Sequence, residues 1–491
     1  MSPELEQFHQ RLRGHAQRDA DAVALLGDQR KVSYAELLDE VEQRRLRLRE
    51  HGARVVALLL DNGVEAMLWD LAVLFEGLAC VTLPGFFTPA QRAHCLARSG
   101  CDVVIAEAAL DDELRAAGYR PGPFWQRPVA TGQLLPGTAK LTFTSGTTGT
   151  PKGVCLSAAS VLGVAQALHQ ASAVNAPRQH LALLPLAVLL ENIGGYAALL
   201  AGACLSLPSL QRVGLHGASG VDAPRLFALL AECQPHSLIL VPQLLQLLVL
   251  AAEQGAFDPR RLRFVAVGGA KVSASLLARA QHVGLPLYEG YGLSECASVV
   301  CLNRPRAQRP GSVGLPLPHV QVRLADDGEV LVQGATLLGY LGEPAPAEGW
   351  WPTGDLGWFD ADGYLYLRGR KKHQFITSFG RNVNPEWVEA ELSQGGVIAQ
   401  ALVHGEAQAH NHALLWPHDP AIGDQHLAEA VAQANQGLPD YAQVHRWSRL
   451  SEPFSTVNGL LTSNGRLRRD AIIERYRPLL SPTLPTEDIT P

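Results

Sequence analysis

The sequence has no run of about 18 clean apolar residues, the length a helix needs to cross a bilayer. Its most apolar stretches, 181–203 and 238–252, are interrupted by Pro185, Glu191 and Asn192 in the first and by Pro242 and Gln243 in the second. They read as buried core, and no membrane span is expected. The opening "MSPELEQFHQ" has no apolar h-region, so no signal peptide is expected. A basic excess is also missing. The formal net charge is −6, which gives no reason to expect a nucleic-acid partner. The eight cysteines include no CxxC pair. Scattered thiols of this kind suit a reduced, cytoplasmic protein better than a disulfide frame. Internal repeats and low-complexity tracts are absent too.

What is present is an ordinary globular composition, 47% hydrophobic and 18% charged, in a chain of 491 residues. That length exceeds one core and suits two domains or more. In the first half, short apolar runs alternate with helical patterns: "RVVALLLDNG", "VEAMLWDLAVLFEG", "ACVTLP", then "TPAQRAHCLARSG" opened by Thr88 before Pro89, then "CDVVIAE". This rhythm predicts an α/β fold of parallel sheets covered by helices. It returns at "PHSLILVP" and "LRFVAVGGA". From about residue 310, "VQVRLADDGEVLVQG" and "GYLYLRGR" alternate polar and apolar residues around Asp-Gly turns, which predicts hairpins and a small β-barrel-like part. After Arg370 come a basic pair, a hairpin, a helix near "NPEWVEAELSQ" and two strands, a small α+β domain. The expected domains are 1–370 and 371–491.

The stretch "TFTSGTTGTPKGV", residues 142–154, concentrates hydroxyl and glycine residues ahead of one lysine. Free backbone N–H groups and hydroxyls in such a turn form a concave set of donors suited to a polyphosphate, and Lys152 adds a mobile positive charge. The P-loop spacing GxxxxGK is not met. Instead "KLTFT" and "GVCLS" read as two strands, with the loop at the tip of their hairpin.

This loop resembles the phosphate loop of the adenylate-forming superfamily, and further motifs follow in that family's order. "YEGYGLSE" resembles its YGxTE, with Ser294 in the threonine position; "GEVLVQGATLLGY" resembles GELxxxGxxxxxGY. "PTGDLGWFDADGYLYLRGR" resembles the TGDL–DG–GR block, and "NGRLRR" resembles GKxxR. The resemblance covers nearly the whole chain and implies a large adenylation domain with a small mobile C-terminal one. It implies activation of a carboxylic acid by ATP with Mg²⁺, and transfer of the acyl group to CoA or to the phosphopantetheine of a separate carrier protein. By the same resemblance Thr144, Ser145, Gly146, Thr147, Thr148 and Gly149 hold the phosphates with Lys152 near them. Gly269, Ala270 and Glu289 line the adenine and acyl pocket, Tyr291 lies along the adenine ring, and Gly290, Gly292 and Ser294 belong to the same cofactor-binding set. Glu295 and Thr148 hold Mg²⁺, Asp355 and Arg370 meet the ribose, and Lys372 is the hinge.

Two features steer the substrate expectation. Amino-acid-activating relatives carry an acidic anchor in the region of Ala187 and Val188, and this chain has none there. "LLPLAVLLENIGG" and "FITSFGRNVNPEWVE" resemble the fatty acyl-CoA synthetase branch instead. Gly194, Gly195, Val241 and Gly268 suit either an acyl tunnel or core packing. The main departure is Arg466, which stands where the family has its catalytic lysine and keeps the charge in a broad planar fork. Besides the fatty-acid–thiol ligase, two readings therefore stay open: an adenylate former ending in amide or lactone formation, and a non-catalytic nucleotide- or acyl-binding relative. His404, His410, His412 and His418 admit a zinc site, but no cysteine or acid completes one, and exposed strand-edge histidines are expected.

Overall fold

The computed structural model describes residues 2–128, 134–144, 151–216, 220–347, 349–379, 381–462 and 465–480. The chain divides into two compact units, Met1–Thr353 with Trp358–Tyr366, and Gly354–Gly357 with Leu367–Pro491.

The first unit contains two large sheets. One has seven strands in the order Gly339–Tyr340, Lys152–Ser157, Thr138–Thr144, Ala79–Thr82, Val55–Leu59, Val103–Ala106, Trp125–Gln126. Its four central strands are parallel, and antiparallel strands close both edges. The other has nine, with Leu287–Tyr291, Phe264–Val267, Ser237–Leu240, Gln179–Leu181, Cys204–Leu207 and Val23–Gly27 running parallel through its middle. The near-continuous apolar runs that made these strands legible are the mark of sheets buried on both faces. Thr88 caps helix Pro89–Ser99 in a reciprocal box with Gln91, so the Thr-Pro start signal folds as its residues dictate. The Asp-Gly hairpin pairs Val320–Leu324 with Glu329–Gly334 in a four-stranded sheet.

The apolar stretch 181–203 becomes a strand end and helix Leu189–Leu200, buried on nearly every side. A Cβ on Gly194 would overlap Ile239 Cδ1, and one on Gly195 would stand 3.0 Å from Met67 Cε. These two glycines are packing residues. The eight cysteines are free thiols, none more than half-exposed. Burial pushes Cys95 and Cys101 up to about 12 and Cys204 up to about 11.

The second unit has strands Ile398–His404, Asn411–Pro417 and Val444–Arg449, with helices Pro385–Leu392 and Asp424–Gln436 packed on them. His410 and His418 are exposed as expected, but His412 is not. It lies on the central strand, opposite His404, and is 3% exposed with Nε2 2.9 Å from Ser448 Oγ. Burial, then the Arg446 charge, pushes its pKa down to about 4. Strand order, invisible to local periodicity, overturns the edge assignment. Among the described residues no group of three potential ligands is placed to hold a metal ion, and no helix is long and apolar enough to cross a membrane.

A fully buried ion pair ties the first unit together. Lys140, on the strand that leads into the glycine–threonine loop, places Nζ 2.5 Å from Asp70 Oδ1. The same ammonium donates to Asn192 Oδ1 at 2.8 Å and to the Tyr196 hydroxyl at 3.1 Å. Tyr196 and Asn192 both donate to Asp70 Oδ2. Burial alone would raise the Asp70 carboxyl, but the lysine charge and the bonds from Lys140, Tyr196 and Asn192 outweigh it and hold the carboxyl below its ordinary value. Removing one partner leaves the other charged out of water. We expect Lys140→Ala to cost about 3–5 kcal/mol. The double change Lys140→Met with Asp70→Leu should cost much less. Denaturant unfolding of the three proteins checks this, and equal losses for single and double variants would contradict it.

Candidate active site

The strands Thr138–Thr144 and Lys152–Ser157 pair antiparallel from Thr138↔Ser157 to Thr144↔Lys152, the two arms of a hairpin. Ser145, Gly146, Thr147, Thr148 and Gly149 lie outside the described residues. The Thr144 hydroxyl donates to the Lys152 carbonyl at 3.4 Å. Lys152 projects Nζ over the Tyr340 ring, 5.1 Å from its centroid, and 3.3 Å from Glu343 Oε1. Tyr340 in turn donates its hydroxyl to Glu295 Oε1 at 2.9 Å. The lysine of the loop and the acid of the YGLSE segment are thus joined through one tyrosine. Sequence reading passed over Tyr340 and Glu343, although Tyr340 ends one of the quoted motifs.

Glu295 sits on the one-turn helix Ser294–Cys296, which Cys296 and Ser298 tie back by donating to the Leu293 carbonyl. Ala297 and Ser298 take positive φ, 50° and 89°. A Cβ on Gly292 would fall inside the Ser298 carbonyl oxygen, so only glycine allows this turn. Glu295 is half-buried, with one oxygen engaged by Tyr340. A carboxylate positioned this way, on a surface that water reaches, fits a hard divalent cation.

The strands Phe264–Val267 and Leu287–Tyr291 are parallel neighbours, with Val267 opposite Glu289. They deliver Gly269 and Ala270 and, beside them, Glu289, Gly290 and Tyr291 to the same end of the sheet. Ligands of open α/β sheets gather at the carboxyl ends of such strands. Gly269 takes φ +84°, and Gly268 faces the Gly290 carbonyl too closely for a larger residue to settle without a shift. Tyr291 is largely buried, while Ala270 is exposed. The Glu289 carboxyl is buried, accepts from the Val272 N–H, and has no hydrogen-bond partner for Oε2 among the described residues. Burial pushes it up to about 8, against which the Lys271 charge acts.

In the second unit, Asp355 is 6% exposed and Arg370 Nε stands 2.9 Å from its Oδ1. The structure brings this predicted pair together. Lys371 N–H donates to the Gly354 carbonyl at 2.8 Å. The next residue, Lys372, is exposed, and its ammonium is shifted down by burial and then by the Arg370 charge. Arg466 is exposed on a tight turn: its carbonyl accepts from Thr462 N–H at 2.7 Å, and its N–H donates to Thr462 Oγ1 at 3.1 Å. Three residues on, Arg469 pairs with the buried Glu389, whose Oε1 accepts from Val403 N–H at 2.6 Å. That buried pair was not foreseen, because its members are 80 residues apart.

Near the missing anchor, Val188 precedes helix Leu189–Leu200 without any side-chain cap. The nearby acid Glu191 is 0% exposed and turned inward, with Oε1 3.0 Å from His180 Nε2 and Oε2 accepting from Leu184 N–H at 2.9 Å.

The lysine that opens a hairpin strand, the acid joined to it through Tyr340 and the buried aromatic at the strand ends suit a nucleotide ligand at the edge of an α/β sheet. The family comparison agrees. The AMP-binding enzyme model matches residues 12–343 and its C-terminal domain model matches 372–482, so the chain belongs to the AMP-binding enzyme family, the adenylate-forming ligases. A long-chain-fatty-acid–CoA ligase, FadD15 of Mycobacterium bovis, is 29% identical over 91% of this chain and 91% of its own. The anthranilate CoA ligase AuaEII, solved with anthranoyl-AMP, shares the fold at TM-score 0.79 and 20% identity, over 95% of this chain and 96% of that one. The amide bond synthetase McbA of Marinactinospora thermotolerans superposes at TM-score 0.76 and 23% identity, over 96% of this chain and all of that one.

Glu289 yields a pH prediction. Its folded value lies above the ordinary carboxyl value, so the folded state keeps a proton that the unfolded chain gives up between about pH 4.5 and 8. Its contribution therefore lowers stability as pH rises through that window and levels off above it. We expect Glu289→Gln to gain stability relative to wild type from pH 5 to 8. Parallel stability–pH curves for the two proteins would rule the buried neutral carboxyl out.

Proposed function

We propose that the chain uses ATP to activate an apolar carboxylic acid, of fatty or related type, as its acyl-adenylate and then passes the acyl group to a thiol of CoA or of a carrier protein's phosphopantetheine. The observation that carries this reading is the linked set Lys152, Tyr340 and Glu295 beside the strand ends bearing Gly269, Glu289 and Tyr291, in a chain of the AMP-binding family.

In this reading the carboxylate of the acid attacks the α-phosphate and pyrophosphate leaves. Two anions must meet, so fixed positive charge is the main requirement. Lys152 serves the phosphates at the mouth of the hairpin loop. Tyr291 lies along the adenine ring, and the Glu289 carboxyl, neutral at pH 7, borders that pocket without placing another charge beside the triphosphate. Asp355 accepts from the ribose hydroxyls and is itself oriented by Arg370. Glu295 and Thr148 are the residues that would hold magnesium, which would supply further neutralisation of the phosphate charge. Arg466 supplies the positive charge on the carboxylate–phosphate pair, and Lys372 marks the hinge at which the domain from 371 onward turns. The inward-facing Glu191 supports an apolar acid, since both its oxygens are used within the protein and neither is left for a substrate ammonium.

An ATP–pyrophosphate exchange screen tests the first half-reaction without assuming the acceptor. Medium or long apolar acids should stimulate exchange; stimulation by α-amino acids alone would overturn the substrate class. Asp355→Ala should weaken ATP binding by about 2–3 kcal/mol, roughly 30- to 150-fold in Kd. Unchanged affinity by calorimetry would remove Asp355 from the ribose. Arg466→Ala should lower exchange by orders of magnitude, with Arg466→Lys recovering part of the rate in a pocket adapted to the larger fork. A lysine variant faster than wild type would favour the reading as a binding protein that has lost turnover.

A further inference from the structure

We propose that Glu343 competes with the nucleotide phosphates for Lys152, acting as a tether that the lysine leaves when ATP binds. The inference rests on the reading of Lys152 as the phosphate cation and adds to it a residue that no motif marks. Lys152 opens the strand Lys152–Ser157, and that strand's outer neighbour is Gly339–Tyr340, paired Gly339↔Cys155 and Tyr340↔Val154. The pairing continues as Leu341 N–H donates to the Gly153 carbonyl at 2.8 Å. Glu343 N–H then donates to the Tyr340 carbonyl at 3.0 Å, closing a turn that swings the carboxylate back to the lysine, 3.3 Å from Nζ. Both charges are thus fixed to one sheet edge by backbone bonds.

The strength of the pair decides what it is able to do. The side chains of Lys152 and Glu343 are 55% and 50% exposed. An ion pair this open to water is worth at most about 1 kcal/mol, enough to bias the lysine and too little to lock it. A polyphosphate carries several negative charges and wins the exchange. Tyr340 offers its ring face to the ammonium throughout, while its hydroxyl holds Glu295. The lysine therefore has a short path between two anions over a fixed aromatic surface.

The test measures binding of α,β-methylene-ATP with Mg²⁺ by calorimetry for wild type, Glu343→Gln, Lys152→Ala and the double variant. Glu343→Gln should bind about two- to five-fold tighter than wild type at low salt. The gain should fade at high salt, where exposed pairs are screened. In the Lys152→Ala background the same change should do nothing. Equal tightening in both backgrounds would overturn the proposal, because it would mean plain repulsion of phosphate by Glu343. No tightening in a protein that Lys152→Ala still weakens would also overturn it, leaving the reading of Lys152 in place. Binding indifferent to Lys152→Ala would remove that reading and the tether with it.

Discussion

An ammonium group without access to water governs the first unit. Lys140 is 1% exposed, and Asp70, Asn192 and Tyr196 accept its hydrogen bonds. Asp70 comes from the helix Val64–Glu76, and Asn192 and Tyr196 come from the helix Leu189–Leu200. The strand carrying Lys140 belongs to the seven-stranded sheet, while the helix Leu189–Leu200 leads directly into the nine-stranded one through Cys204–Leu207. One cation therefore ties together three elements drawn from distant parts of the chain. Apolar contact tolerates sliding, whereas a charge with three fixed acceptors does not. The strand so held is the one that leads to the candidate phosphate loop.

The parts of the fold that showed in the sequence are those set by local chemistry. The run of Val55 to Leu59 gave a buried parallel strand, and Thr88-Pro89 gave a capped helix start, because each signal is complete within a few residues. The hairpin around the loop was visible for the same reason: two apolar strands flank a segment that has no other use for so many glycines. What did not show was set by pairing between distant segments. His412 looked like an edge residue until the order of strands placed it in the middle of its sheet. Glu191 interrupts an apolar stretch in the sequence, and the fold makes it a brace for His180 and Leu184. Lys140 read as one polar residue in a strand, and nothing local marks Asp70 as its partner.

The candidate site divides along the same line. Glu295, Tyr291 and Asp355 stand in motifs whose order along the chain is itself information. Their supports do not. Tyr340 reaches Glu295 only because a two-residue strand is added to the edge beside Lys152, and Arg370 meets Asp355 because strand Trp351–Phe359 precedes the turn to Leu365–Arg370. Arg466 is held in a different manner, by backbone bonds to Thr462 on both sides of its own peptide unit. These two bonds involve only the main chain of Arg466.

The thiols carry a practical consequence. Cys95, Cys101 and Cys204 are buried deeply enough to suppress thiolate formation near neutral pH, and burial raises Cys80, Cys155, Cys233 and Cys301 as well. Burial thus lowers the reactivity of these seven positions toward electrophilic labels. A cysteine introduced at an exposed position such as Lys371 would form its thiolate more readily than these seven, so a label would go to it ahead of them.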